Sequence, residues 1–197
     1  MSQISPEIRK AFLIWFVANI LGLTIPPLVL YLVPLFTAIT GLLSSTLIIS
    51  LPLSIAQWIA LRRIMPVSAL WILSLPASIL VVVMLIREIP ERFWPDADSE
   101  MLIVMVIFSI MVGLIIGLPQ WLILRREHGN TSIWLLGTVL GIALGAGVVL
   151  ATDMVNLSGL LAFIFAVLVY VIATGLSLTW LLMHKDNLRM QQSIPLS

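Results

Sequence analysis

Cysteine is absent from this chain of 197 residues, and charged residues make up only 10% of it. Without cysteine there is no disulfide, no thiolate metal site, no haem attachment site and no cysteine nucleophile. The low charge accompanies a hydrophobic content of 61%, whereas a soluble domain is about 45–50% apolar and about 25% charged. A soluble fold has no place for so much apolar surface, so the composition predicts an integral membrane protein.

Histidine is also scarce, and His128 and His184 both stand beside basic residues at the ends of apolar segments. That position argues against a haem or pigment held by histidine at mid-membrane. No Ser-His-Asp set, phosphate-binding loop, zinc motif or dinucleotide fingerprint occurs, and the basic residues are too few and too scattered for nucleic acid. We therefore expect no catalytic residue, no metal and no cofactor, with bound lipid left open.

Charged residues divide the chain into apolar segments of membrane-spanning length, which is about 20 residues. No charge occurs between Lys10 and Arg62, which leaves room for two spans joined by a turn near residues 31–36. Four more segments follow, at about 66–86, 101–124, 132–152 and 157–183. The sequence predicts an all-α membrane protein with about six transmembrane helices, in a single integral membrane domain of residues 1–197.

Basic residues gather at one set of segment ends. Eight of the ten fall on the same predicted side, namely Arg9, Lys10, Arg62, Arg63, Arg125, Arg126, Lys185 and Arg189. Short cytoplasmic loops carry an excess of lysine and arginine. We therefore expect both termini in the cytoplasm and the chain in a bacterial cytoplasmic or thylakoid-type membrane.

An internal repeat is the strongest pattern in the chain. Residues 57–71 read QWIALRRIMPVSALW, and residues 120–134 read QWLILRREHGNTSIW, which align without a gap. A degenerate third copy, TWLLMHK, covers residues 179–185. The repeat predicts three parallel two-helix hairpins, with a pseudo-threefold axis along the membrane normal or simply as a bundle. Their bounds are about 5–64, 65–127 and 128–190.

Tryptophans and basic residues recur at fixed places in the hairpins. Trp15, Trp71 and Trp134 open the three units, and the closing ends carry Trp58, Arg62, Arg63, Trp121, Arg125, Arg126, Trp180 and Lys185. Each closing tryptophan stands one helical turn before a basic residue, which allows a cation–π contact. These residues are either membrane-interface anchors, which we favour, or contacts for anionic lipid headgroups.

The QWLxLRR hairpin end, at residues 57–63 and 120–126, is followed each time by a tryptophan at a predicted helix start. This combination resembles a group of uncharacterised multi-pass membrane proteins from bacteria, notably cyanobacteria and their relatives. The resemblance covers the hairpin ends and, by topology, the rest of the chain. It implies a helical fold and a membrane location, and it implies no activity.

Small and polar residues within the spans predict helix packing. Glycines at four-residue spacing allow helix backbones to approach closely, and this spacing occurs at Gly113, Gly117, Gly137, Gly141 and Gly145. A groove left along this stripe has room for a lipid or pigment tail. Gln57, Gln120 and Thr179 are equivalent by the repeat, and we favour hydrogen bonds between helices over a polar vestibule as their role. We expect Asp153 to cap a helix or face water in preference to binding a cation.

Three functions are compatible with this pattern. We favour a non-enzymatic accessory or scaffold subunit of a larger membrane complex, because the apolar helices and short loops carry no recognisable chemistry. Its partners would be the lipid bilayer and other membrane subunits. The alternative is a small transporter or channel for a neutral or lipidic substrate. A lipid-modifying enzyme would depend on Glu127 and His128, which form the one adjacent acid–histidine pair, and is the least favoured.

Overall fold

The computed structural model describes residues 6–32, 47, 50–88, 98–129, 131–154 and 158–192. Within these ranges the backbone is helical or forms short turns, and no strand occurs there. The predicted all-helical class is therefore confirmed. The predicted turn near residues 31–36 falls mostly outside the described residues, and so does the side chain of Asp153.

Six helices occupy the described part of the chain. They are α1 (Pro6–Leu32), α2 (residues 50–62), α3 (Trp71–Glu88), α4 (Asp98–His128), α5 (Ser132–Met154) and α6 (Gly159–Gln192). Proline is favoured at the first helical position, where α1 has Pro6, and acids are favoured in the first turn, where α4 has Asp98. The helix α3 begins at Trp71 and not near residue 66, because residues 63–70 form a turn in which Ser68 Oγ accepts a hydrogen bond from Leu70 N (3.3 Å).

Four of these helices are long and apolar enough to cross a membrane. The spanning segments are Trp71–Glu88, Ile103–His128, Ser132–Thr152 and Leu161–His184. At 1.5 Å per residue even the shortest, with 18 residues, reaches about 27 Å, close to the thickness of the hydrocarbon core. Only 22–39% of each segment is buried inside the fold. The large apolar remainder faces outward, as the lipid contact of a membrane protein requires.

The helices pack mainly on their neighbours in the chain. The helix α5 contacts α4 and α6, α3 contacts α4, and α1 contacts α6, so the first and last helices meet. The largest buried apolar cluster lies where α2 and α4 end and α3 and α5 begin, and it includes Trp15, Leu61, Trp71, Leu124 and Trp134. We call the end of the bundle that carries the paired arginines the basic end.

Close packing of α4, α5 and α6 depends on glycine. A Cβ atom on Gly113 would lie 2.8 Å from Val139 Cα, and one on Gly117 would lie 2.8 Å from Leu135 Cδ1. On the other side of α5, Gly141 and Gly145 face α6 in the same way, and a Cβ on Gly137 would collide with Ser177 Oγ. All five glycines therefore lie at contacts within the chain, where they allow neighbouring backbones to touch.

Candidate functional site

Three tryptophans from equivalent repeat positions meet inside the bundle. Trp15, Trp71 and Trp134 are each 0% exposed. The Trp134 ring lies edge-to-face against Trp15, with 5.2 Å between centroids, and against Trp71, with 5.4 Å. Aromatic rings favour this geometry over a face-to-face sandwich. We call these three residues the Trp cluster. The repeat in the sequence thus brings like residues together in space.

Indole hydrogen bonds connect the Trp cluster to neighbouring hairpins. Trp134 Nε1 donates to Gln120 Oε1 (3.1 Å), and Trp15 Nε1 donates to Thr174 Oγ1 (3.2 Å). Each bond runs from the first helix of one hairpin to the second helix of another. The third bond of this kind would join Trp71 Nε1 to Gln57 Oε1. Both atoms are buried, and neither has a hydrogen-bond partner.

Buried amides extend this polar network between helices. Gln57 Nε2 donates to Asn19 Oδ1 (2.7 Å), and Asn19 Nδ2 donates to the Trp15 carbonyl one turn earlier (2.9 Å). Gln57 and Gln120 therefore form the interhelical bonds that their position predicts, and both are fully buried. A buried polar group that keeps no partner is costly, so these bonds hold the helices in one register.

The third repeat departs from the predicted equivalence. Thr179 Oγ1 donates to Gly175 O of its own helix (2.9 Å) and joins no other helix through that bond. The hydroxyl that accepts the hydrogen bond from Trp15 Nε1 belongs to Thr174. Sequence reasoning did not identify this residue. Thr174 stands five positions earlier than the repeat predicts. No signal in the sequence marks it, since threonine on an apolar helix usually bonds back to its own backbone.

Stacked pairs lie at the basic end on α2, α4 and α6. Arg62 lies over the Trp58 ring and Arg125 over the Trp121 ring, each at 5.0 Å from the centroid. In the third hairpin, His184 stacks on Trp180 at 3.6 Å between centroids, whereas the Lys185 side chain lies outside the described residues. The four-residue spacing predicted such contacts, and they are present. They restrain the cations beside the rings, and either predicted role of these residues is compatible with that geometry.

Two of these tryptophans also contact protein at their indole nitrogens. Trp58 Nε1 donates to Val67 O in the turn before α3 (3.3 Å). Trp121 Nε1 is buried without a partner. An interface tryptophan ordinarily keeps its polar end in the headgroup region. Trp58 and Trp121 therefore take part in the packing of the basic end.

Glu127 and His128 hold the turn between α2 and α3. Glu127 Oε1 accepts a hydrogen bond from Ser68 N (2.9 Å), and His128 Nε2 donates to Pro66 O (2.8 Å). Gly129 follows with φ of +79°, a left-handed conformation that glycine adopts without strain. The acid–histidine pair thus braces one interhairpin turn against the other.

A central cavity of about 360 Å³ lies on the far side of the Trp cluster from the basic end. Every helix contributes to its wall, which consists of Leu23, Leu53, Leu75, Ile79, Ile116, Gly141, Ile142, Gly145, Ala146, Val149, Phe163, Ala166, Val167 and Tyr170. Tyr170 is the one polar side chain in this lining. Val149 and Phe163 are about 40% exposed, so the cavity opens beside them.

Small side chains on α5 create this hollow. Gly141, Gly145 and Ala146 occupy the wall where larger residues would fill the space. The sequence predicted helix packing along the glycine stripe, with a groove only where the stripe is left unfilled. Comparisons of the chain with protein-family models, with curated proteins and with solved structures gave no match.

Proposed function

We propose that this chain is a non-enzymatic, six-span membrane protein that binds a neutral, lipidic molecule in its central cavity. The cavity carries this proposal, because all six helices contribute to it and its lining contains one polar side chain. Ligand pockets generally measure about 300–1,000 Å³ and combine an apolar wall with few polar groups. The cavity, at about 360 Å³, falls within that range.

The environment of the cavity supports an apolar occupant. An apolar hollow of this kind does not hold water well, because water there has too few hydrogen-bond partners. Its opening beside Val149 and Phe163 lies among exposed apolar side chains, where the surrounding medium would be acyl chains. The Trp cluster lies between the cavity and the basic end, and the Tyr170 hydroxyl provides one hydrogen-bonding group for an alcohol or carbonyl.

Two observations support six spans arranged as three hairpins. The helix α1 is continuous to Leu32 and has no charged residue after Lys10, so 22 apolar-to-neutral positions are helical. The Trp cluster and the contact between α1 and α6 relate the hairpins as a closed ring would. We place the chain in a bacterial cytoplasmic or thylakoid-type membrane with both termini in the cytoplasm, where the excess of basic residues favours them.

Filling the cavity tests the proposal. Ala146→Phe should weaken the binding of retinol, a neutral and fluorescent polyene alcohol, by at least about tenfold, because overpacked sites lose their occupant or distort. The measurement is a fluorescence titration of the purified protein in detergent. Gly147→Phe is the matched control, since a Cβ atom added at Gly147 meets no atom within 4 Å and Gly147 does not line the cavity. It should bind within about twofold of the wild type. Equal binding by the two variants, or no saturable binding by the wild type, would refute the proposal.

The second candidate is an accessory or scaffold subunit of a larger membrane complex. A ridge on α5 favours it, since Leu136, Leu140 and Leu144 share one helix face and each is 55–57% exposed. Such a ridge suits another membrane helix as well as it suits lipid. Extraction from the host in a mild detergent should then yield an assembly with stoichiometric partners, identified by mass spectrometry. Migration as a lone 21.8 kDa chain would contradict this candidate.

A further inference from the structure

Two adjoining hollows lie beside α1 and the end of α2 at the basic end, and Leu182 of α6 also lines the first of them. The first measures about 380 Å³ and is lined by three charged side chains, Glu7, Lys10 and Arg63, together with apolar neighbours. The second measures about 430 Å³ and is apolar except for Arg63 at its edge. Ile14 and Arg63 line both hollows, so the charged hollow and the apolar one adjoin at these side chains.

We propose that these two hollows together bind one phospholipid, distinct from the occupant of the central cavity. Its phosphate lies between Lys10 and Arg63, and one acyl chain follows the groove between α1 and α2. This arrangement matches the chemistry of a phospholipid, in which a charged headgroup and an apolar tail are joined end to end.

The charges of the first hollow suit a single phosphate. Lys10 and Arg63 are both exposed, and the Arg63 guanidinium presents a fork of N–H donors that matches phosphate oxygens. Unlike Arg62, which lies over the Trp58 ring, Arg63 faces the hollow. Two cations and one acid leave a net charge of +1, which one phosphate diester neutralises.

Glu7 makes the site selective among headgroups. Its carboxylate lines the same hollow, where it opposes a second negative charge and accepts hydrogen bonds. A headgroup that carries a hydroxyl or an ammonium group satisfies Glu7, as in phosphatidylglycerol or phosphatidylethanolamine. The trimethylated amine of phosphatidylcholine has no N–H or O–H to donate. The site should therefore prefer the first two lipids to the third.

The second hollow has the shape of a chain-binding groove. Ala18, Ala56 and Ala60 form part of its wall, and their small side chains leave the space open. At the far end the two helices touch, since a Cβ atom on Gly22 would lie 2.9 Å from Leu53 Cα. From Ile14 to Ala18 the groove runs about 6 Å along α1 at 1.5 Å per residue, which accommodates the first part of an acyl chain.

The second hairpin lacks this site and so provides an internal comparison. By the repeat, Pro119 and Ile123 replace Ala56 and Ala60. The position five residues before the opening tryptophan is Lys10 in the first hairpin and Pro66 in the second. Arg126 corresponds to Arg63. The second hairpin thus keeps the arginine of the motif and lacks both its cationic partner and the small-residue groove.

Native mass spectrometry of the detergent-purified protein, titrated with phosphatidylglycerol, tests this site. The first lipid should bind about fivefold more weakly to Arg63→Gln and to Lys10→Gln, since each basic residue near a lipid surface contributes roughly that factor. Ala56→Leu should also weaken binding by filling the groove. Arg126→Gln is the matched control and should leave the first binding step unchanged. Equal effects of Arg63→Gln and Arg126→Gln would overturn the proposal, because general surface charge would then explain the binding.

Two further measurements identify the ligand and separate the two sites. Inorganic phosphate at millimolar concentration should not displace the lipid, and phosphatidylcholine should bind more weakly than phosphatidylglycerol. Displacement by phosphate alone would show an anion site and overturn a lipid site. Ala146→Phe should leave the first phospholipid-binding step unchanged, so a failure at the central cavity does not affect this result. Melting temperatures of the surface variants within about 2 °C of the wild type confirm that each is folded.

Discussion

Trp134→Ala is expected to destabilise this protein by about 3–5 kcal/mol, the usual cost of truncating a buried tryptophan. Trp134 is the centre of the Trp cluster, where its ring contacts both Trp15 and Trp71. Its loss leaves a cavity between three helices and removes the donor to Gln120 Oε1. In a bilayer, helix association depends on such packing and on interhelical hydrogen bonds, because lipid tails solvate apolar side chains equally well. The cost therefore falls directly on the association of the hairpins.

Trp180→Ala is the matched control for this result. Trp180 is 38% exposed and stacks on His184 of its own helix, so its removal affects few contacts between helices. We expect a destabilisation of less than about 1 kcal/mol, as at most positions outside a core. The measurement is thermal or denaturant unfolding of both variants in the same detergent, with the helical signal in circular dichroism as the probe. Similar losses in the two variants would show that the Trp cluster does not hold the hairpins together.

Gly113→Ala should destabilise the protein by about 1–3 kcal/mol, although it adds a single methyl group. The new Cβ would lie 2.8 Å from Val139 Cα, a distance that real Cβ contacts do not reach. The obstacle is a backbone atom of α5 and not the end of a flexible side chain. The two helices must therefore move apart, and neighbouring contacts such as that between Gly117 and Leu135 weaken with them.

Gly147→Ala should stabilise the protein, in contrast to Gly113→Ala. No atom lies within 4 Å of the added methyl, and alanine is favoured over glycine within a helix by about 0.5–1 kcal/mol. We expect a small rise in melting temperature, measured beside Gly113→Ala under the same conditions. A lower melting temperature for both variants would mean that these positions do not distinguish the effect of helix propensity from that of packing. A rise for both would place α4 and α5 farther apart than the structure has them.

Together these results bear on function through the geometry of α5. Gly137 packs against α6 one turn from Trp134, while Gly141, Gly145 and Ala146 line the central cavity farther along α5. Substitutions at the tight contacts should therefore reduce stability, and substitutions at the cavity wall should reduce retinol binding. If every substitution reduced both stability and retinol binding, the central cavity would not be separable from the packing of the helices.

Sequence alone was sufficient for the features that depend on composition and local period. The apolar content predicted helices suited to a membrane, and four such helices are present. The four-residue spacing predicted the contacts of Arg62 with Trp58 and of Arg125 with Trp121. Residues four apart are neighbours on any helix whatever surrounds it, so contacts of this kind need no knowledge of the fold.

Only the tertiary structure could show how deeply each tryptophan is buried. The opening residues Trp15, Trp71 and Trp134 form a buried cluster, whereas Trp180 remains partly exposed. It also assigned the acceptor for the Trp15 indole to Thr174 in place of Thr179. These outcomes depend on how each helix is rotated about its own axis and on its distance from helices that are far away in the chain. In an almost uniformly apolar sequence every helix face looks alike, so the pattern of residues does not encode that rotation.

The same reason applies to the two proposed binding sites. The central cavity and the hollow between Lys10 and Arg63 arise where distant helices leave space between them. The sequence determined that this chain is helical, repeated, suited to a membrane and basic at one end, because those properties follow from residue types and their spacing. The tertiary structure decided where its interior is filled and where it is open, because packing between helices depends on side-chain volumes from several segments at once.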